Sequence, residues 1–365
     1  MKKTALIQIL AIAMVVAAMA QKPTISNAKL QEVSAAGGLK AAFDAILQKQ
    51  DSPAWIGYRV PVLPKERTMC CFDSVDKAQS TKANCCMGCR VESSSGNSFS
   101  GTMDNCQPPE PFRYAFVFFR VETKRVQKIR TYSPDCALDF ANLPVYWLEN
   151  VDPAQSVQLL TEFVLAAPSE DIDRKKSINN AGVMAIALHD HAVADQSLEK
   201  LIQPGQPERV RDEVAFWLGV ERGKKGFELL RKYVRNDASE RFREKGTFAL
   251  SRSEEPEAIK ELIAMGRTDP STRVRGQAIF WLAQIGGRKE AEQISEAIEN
   301  DPETAVKKKA VFALSQMKDG EGVPLLINAA KTNKNPAIRK EAVRWLGMTH
   351  DPRALDFLEE LLARP

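Results

Sequence analysis

From Ile178 onward, apolar residues recur at a fixed interval of 32 positions: Ile178, Val210, Phe242, Val274, Val306 and Ile338 form one column without insertions. Eight positions later the column reads Ile186, Leu218, Leu250, Leu282, Leu314 and Leu346, and twenty later Leu198, Leu230, Leu262, Ile294, Leu326 and Leu358. Such a period predicts one supersecondary unit, copied and stacked, whose core is closed only by its neighbours. Each unit resolves into two helices. In one of them, Pro256 to Gly266 predicts the first, with Ile259, Leu262 and Ile263 on one face. A break at Arg267-Thr268-Asp269-Pro270 follows, and Ser271 to Gln284 predicts the second helix. There Val274, Ala278, Trp281 and Leu282 fall at i, i+4, i+7 and i+8, one face of a helix.

Two further columns run beside that core face. Six positions after the first column stand Met184, Phe216, Phe248, Phe280, Phe312 and Arg344. At about 100° per residue the core face of the second helix centres near about 40°, and this column lies at about 240°, roughly opposite. Exposing phenylalanine costs about 25 cal/mol per Å² of apolar area, so an exposed row would mark a binding surface. In the competing reading each ring folds sideways and fills the seam between neighbouring second helices. The adjoining column alternates Ala185, Trp217, Ala249, Trp281, Ala313 and Trp345. Large and small residues in turn suit packing between stacked layers, which places these tryptophans in the core.

Upstream the pattern changes. Residues 21–33 are polar and expected to be loose, and a short helix is expected from Gly38 to Gln50. Trp55 to Val60 alternates like a strand. Phe112 to Val121 and Arg125 to Tyr132 predict a hairpin turning at Glu122-Thr123-Lys124, with Ala115, Val117 and Phe119 on one face. Between Cys70 and Cys106 the chain is rich in Ser, Asn, Gly and Thr with little periodicity, so only a cross-link would hold it in place. The expected organisation is a leader at 1–20, a cysteine-rich α+β head at 21–150 and a helical array at 151–365.

The leader reads as an export signal: Lys2 and Lys3 precede an uncharged apolar run from Thr4 to Ala17, and Ala18-Met19-Ala20 supplies a small-x-small site before Gln21. Cleavage after Ala20 would deliver a periplasmic or secreted protein. An uncleaved anchor is the alternative, but the run is short against the roughly 20 residues of a spanning helix. No other stretch is long and apolar enough to cross a bilayer.

All seven cysteines, Cys70, Cys71, Cys85, Cys86, Cys89, Cys106 and Cys136, precede residue 137. In an exported chain the first reading is disulfides, each stabilising by about 2–4 kcal/mol through the unfolded state. Connectivity does not follow from sequence, and an odd number leaves one thiol over. Zinc at Cys86-Met87-Gly88-Cys89 with another pair, and redox-active thiols, are the competing readings.

The segments Asp237…Phe242-Arg243, Asp269…Val274-Arg275, Asp301…Val306-Lys307 and Asn333…Ile338-Arg339 resemble the second-helix signature of HEAT repeats. They look most like the short type first named from phycocyanobilin lyases. The resemblance covers about residues 153–363, as six helix pairs and a closing helix. It implies a mainly α fold, a right-handed α-α superhelix, whose second helices line a concave face. It also implies a ladder between successive units, formed here by Asp237, Asp269 and Asp301 with Arg243, Arg275, Lys307 and Arg339. Asn333 and Lys307 depart from the usual pair and would weaken their rungs, and the first unit has Asn179 where Arg is expected. Nothing in the chain marks a bilin site. With its head included, the chain also resembles uncharacterised exported bacterial HEAT-repeat proteins, which brings no activity with it.

Charge narrows the partners. The net charge is +4, with Lys+Arg 51 against Asp+Glu 47. Neither half has the one-signed basic field that nucleic acid requires. His189-Asp190-His191 could hold a metal but lacks a third ligand, and His350 looks like a solvated loop residue. No nucleophile elbow, P-loop, zincin or dinucleotide fingerprint occurs. The expectation is therefore a non-enzymatic scaffold without cofactor or resident metal, holding a protein or peptide of the cell envelope. The groove would use Met184, Phe216, Phe248, Phe280, Phe312 and Arg344, with Lys308 and Lys309 on its margin. The alternative makes the head a thiol-disulfide or metal-binding module that the array docks.

Overall fold

The computed structural model describes residues 22–65, 69–70, 89–92, 99–100, 111–134, 136–166 and 172–363. The leader at 1–20 and Cys71, Cys85, Cys86 and Cys106 lie outside the described residues, and of Cys70 only the backbone is described. The chain forms two compact units, the first ending at Ser197 and the second beginning at Leu198.

The first unit is built on a sheet of order β1-β8-β2-β6-β7, with β4 (Cys89–Arg90) also beside β8. Its long strands are β1 (Thr24–Ser34), β2 (Ala54–Lys65), β6 (Phe112–Glu122), β7 (Arg125–Tyr132) and β8 (Ala137–Glu149). The small strands β3 (Met69–Cys70) and β5 (Phe99–Ser100) pair separately. β8 runs parallel to both β1 and β2, whereas β2, β6 and β7 are antiparallel. The expected hairpin is present: Glu122 pairs with Arg125, and Thr123 and Lys124 both take positive φ. Two left-handed residues match the right-handed twist of the strands they join. Helix α1 (Leu39–Leu47) lies inside the expected 38–50 segment.

One expectation fails. Residues 21–33 are not loose, because β1 pairs in parallel with β8 from Thr24↔Ala137 to Ser34↔Glu149. β1 is an edge strand with mostly exposed side chains, so its order comes from backbone hydrogen bonds that leave no apolar alternation to read.

Both faces of the sheet are covered. On one, Phe43 of α1 and Phe163 of α2 (Pro153–Leu165) pack against Phe119 at centroid distances of 4.9 and 5.7 Å. On the other, Trp55, Phe116, Phe118, Phe140, Trp147, Cys89 and Cys136 form a buried cluster. Double burial explains the unbroken apolar run Ala115 to Phe119 in β6. α3 (Ile172–Leu188) also packs against β7.

A buried polar chain ties these helices to the sheet. Tyr58 Oη lies 3.0 Å from Ser156 Oγ, Ser156 Oγ lies 2.9 Å from His189 Nε2, and His189 Nδ1 lies 2.6 Å from the Ala185 carbonyl. Burial raises the pKa of the Tyr58 phenol well above its ordinary range. Both ring nitrogens of His189 are thus within hydrogen-bond distance of a partner. Among the described residues no group of three or more His, Cys, Asp or Glu is placed to hold a metal.

The helical array continues from α4 (Ala192–Ile202). First helices are α6 (Gly223–Val234), α8 (Pro256–Thr268), α10 (Arg288–Asn300), α12 (Val323–Thr332) and the closing α14 (Pro352–Leu362). Second helices are α5 (Glu208–Glu221), α7 (Glu240–Ser251), α9 (Thr272–Ile285), α11 (Thr304–Ser315) and α13 (Pro336–Leu346). Counting α2 and α3, the described helices of the array make six pairs and one closing helix, as expected. Val210, Phe242, Val274, Val306 and Ile338 are all buried, and so are Leu218, Leu250, Leu282, Leu314 and Leu346. No described helix is long and apolar enough to cross a membrane.

Candidate binding face and the ladder behind it

The second helices are set in place by one polar column. Asp237, Asp269, Asp301 and Asn333 each accept, through a side-chain oxygen, the backbone N–H two residues on, at 2.8–3.0 Å. That turn starts the next helix. The same carboxylates receive the arginine of the preceding unit. Arg243 Nε and Nη2 donate to Asp269 at 2.9 and 3.1 Å, and Arg275 Nε and Nη2 donate to Asp301 at 2.7 and 3.0 Å. The Asp269 hydrogen bonds raise the Arg243 pKa, and those from Asp301 raise that of Arg275. Arg211 also pairs with Asp237, through Nη1 and Nη2, while its Nε donates to the Ile202 carbonyl at 2.8 Å; it was not foreseen as a rung. The inter-unit ladder is as expected, and within each unit Arg243 Nη1 also donates to the Asp237 carbonyl (2.7 Å) and Arg275 Nη1 to that of Asp269 (2.9 Å). Each arginine thus staples its own turn and the next one.

The ladder ends at the departures noted in sequence. Lys307 Nζ donates to the Glu299 carbonyl and Asn333 Nδ2 to the Glu299 carboxylate, so no ion pair joins 307 to 333. Arg339 keeps only its backbone staple to the Asn333 carbonyl, at 2.9 Å, and a second bond to Lys334 O.

On the opposite side of the second helices the rings meet. Phe216 stacks on Phe248 with centroids 5.7 Å apart and planes 17° from parallel, and Phe280 stacks on Phe312 at 6.2 Å and 6°. Tryptophans join these pairs into one row. Trp217 lies 5.1 Å from Phe216, Trp281 lies 4.7 Å from Phe248 and 5.1 Å from Phe280, and Trp345 lies 4.9 Å from Phe312. All seven rings are half-buried. The rings are therefore neither sealed in the seam nor fully exposed, which lies between the two readings of the phenylalanine column. The tryptophans, expected in the core, belong to this row, while Ala185, Ala249 and Ala313 are the buried members of their column. Arg344 ends the row, 64 % exposed, with its guanidinium 5.5 Å from the Trp345 ring and 3.6 Å from Glu341. Lys308 and Lys309 are exposed on α11. Met184 does not fit the groove assignment: it is 7 % exposed, on the helix that packs against the sheet.

A further alternation in the sequence supports the tryptophans. Four residues before them stand Glu213, Gln277 and Glu341, whereas Lys245 and Lys309 precede the alanines. Trp217 Nε1 donates to Glu213 and Trp345 Nε1 to Glu341, each at 2.8 Å. Burial raises the pKa of the Glu213 carboxyl, against the lowering effect of the indole hydrogen bond. Trp281 has glutamine at that position, and its Nε1 is buried without a partner. A buried unsatisfied donor costs about 1–3 kcal/mol. Gln277→Glu is accordingly expected to raise stability by about 1 kcal/mol, after the cost of placing a carboxylate there, and to slow exchange of the Trp281 indole proton. Denaturant titration and NMR check both, and an unchanged indole exchange rate would contradict the assignment.

A family model described as HEAT repeats matches residues 194–285 and 291–365. No curated protein matches the chain. Among solved structures, human deoxyhypusine hydroxylase in complex with glycerol is 17% identical, over 58% of this chain and 91% of that one, with a TM-score of 0.26. The complex of CpcE and CpcF of phycocyanin lyase from Nostoc sp. PCC7120 is 17% identical, over 52% and 76%, with a TM-score of 0.30. A designed armadillo repeat protein is 19% identical, over 57% and 100%, with a TM-score of 0.28. Scores this low carry nothing about activity. From α4 onward the helices coincide with the family match: residues 194–365 of this chain are built of HEAT repeats.

Proposed function

We propose that the chain is an exported, non-enzymatic scaffold that holds a protein or peptide of the cell envelope on the face lined by its aromatic row. In this reading the leader is removed after Ala20, the protein works in the periplasm or outside the cell, and disulfides brace a cysteine-rich head. The second helices line the concave side of a right-handed superhelix. The observation that carries the reading is the row from Trp217 to Trp345, whose rings remain half-exposed although burying them fully would be favourable. Cys89 and Cys136, both half-cystines in the buried sheet cluster, support the cross-linked head.

Crosslinking capture by the mature protein in its native envelope, compared with the Phe248→Ser/Phe280→Ser variant, tests the binding surface. Loss of the captured partner with helicity retained by circular dichroism is the expected result. Undiminished capture by the folded variant would overturn the assignment of the surface.

A further inference from the structure

Unpaired positive charge increases along the aromatic row. In its first part, Arg241 reaches back to Glu208 (2.6 Å) and Asp212 (2.9 Å), and Arg273 to Glu244 (2.7 Å). Each arginine is answered by a carboxylate of the preceding unit. One unit on, the corresponding positions hold Ala305 and Gly276, and in the next Ala337 and Lys308. Lys308 therefore occupies the place of Asp212 and Glu244 with the opposite charge. Lys309 lies across Gly276, where a Cβ would come within 2.3 Å of its Cδ. Lys308, Lys309 and Lys340 are exposed and have no ion pair or hydrogen bond among the described residues. On α11, Lys308 and Lys309 precede Phe312 by four and three residues, the spacing that puts side chains side by side on a helix.

We propose that the end of the row formed by Phe280, Phe312 and Trp345, with Lys308, Lys309 and Lys340, docks an acidic, extended segment of a partner protein that also carries aromatic or large apolar side chains. The inference rests on the scaffold reading and adds the partner's chemistry to it. Half-exposed rings reward apolar contact, and three cations without carboxylate partners supply charge that only an anionic ligand would complement. In the first part of the row Arg241 and Arg273 are already neutralised by Glu208, Asp212 and Glu244, leaving Lys245 before Phe248, so that part gives a weaker preference. A bare polyanion would use the lysines and leave the rings open, so the rings favour a peptide.

The test uses the full mature chain and three fluorescein-labelled peptides in a Gly/Ser background: one with Glu and Phe, one with Lys and Phe, and one with Glu alone. Fluorescence anisotropy is expected to show the Glu/Phe peptide binding about tenfold or more tighter than either of the others. Lys308→Glu/Lys309→Glu, checked for helicity, is expected to weaken that peptide about tenfold and leave the Lys/Phe peptide no weaker. Equal binding of the Glu/Phe and Lys/Phe peptides overturns the acidic preference while the aromatic surface stands. Equal binding of both Glu peptides reduces the site to a polyanion surface and also overturns it. Failure of all three peptides overturns this inference, whereas the scaffold reading falls only if capture in the envelope fails to depend on Phe248 and Phe280.

Discussion

Asp269→Ala is expected to lower the stability of the array by about 3–5 kcal/mol, the usual consequence of stranding one member of a buried ion pair. The Asp269 side chain is 3 % exposed and that of Arg243 9 %, so removing the carboxylate leaves a guanidinium without its counter-charge. The loss goes beyond one contact, because Asp269 also accepts the Ser271 N–H that starts α9. In stacked repeats stability is close to a sum of units and interfaces, so a break in the middle separates the array into two cooperative parts. A second transition in denaturant unfolding would show that separation. Asn333→Ala, at the site without a rung, is expected to cost about 2 kcal/mol, as for a hydrogen bond to a charged group. Equal losses at 269 and 333 would mean that the ladder contributes no more than the turns.

Gly219→Ala is expected to destabilise by about 2 kcal/mol, although alanine favours a helix by about 1 kcal/mol over glycine. A Cβ at 219 would lie 2.2 Å from the Ala249 carbonyl oxygen, so α5 and α7 cross there nearly backbone to backbone. A carbonyl in a helix cannot swing aside. The helices would have to separate, which also pulls Phe216 from Phe248. Gly276→Ala provides the contrast. Its Cβ meets only the flexible Lys309 side chain, and the helix preference of alanine should leave that variant neutral or slightly stabilised. Thermal unfolding of the two variants separates backbone contact from glycine's general effect on helices.

The array was legible because its burial is periodic: each unit repeats the same apolar positions, and a column such as Val210 to Ile338 needs no partner from elsewhere to be recognised. The solvent side of Phe216, Phe248, Phe280 and Phe312 followed from helix geometry alone. Their stacking did not, because it depends on how far apart neighbouring second helices sit. The tryptophans were misplaced for the same reason. A wheel puts them beside the core, while the alanines between them leave the space in which Trp281 reaches Phe248. Arg211 escaped notice as a rung because its unit has glycine at 205 in place of the turn-forming Asp. β1 was hidden because an edge strand needs only its backbone to pair, whereas the Asp and Arg columns announced the ladder down to its missing rung.

Where Lys307 faces Asn333 in place of an arginine–aspartate fork, both side chains turn to Glu299 of α10, so no side-chain ion pair links α11 to the turn before α13. That joint lacks the buried fork found at Arg211–Asp237, Arg243–Asp269 and Arg275–Asp301, so sliding there breaks no ion pair. The lysine-bearing end of the row spans this joint, with Phe312 on one side and Trp345 on the other. Under the proposed binding role, such a joint would let the surface adjust its pitch to the ligand, trading some affinity for tolerance of sequence.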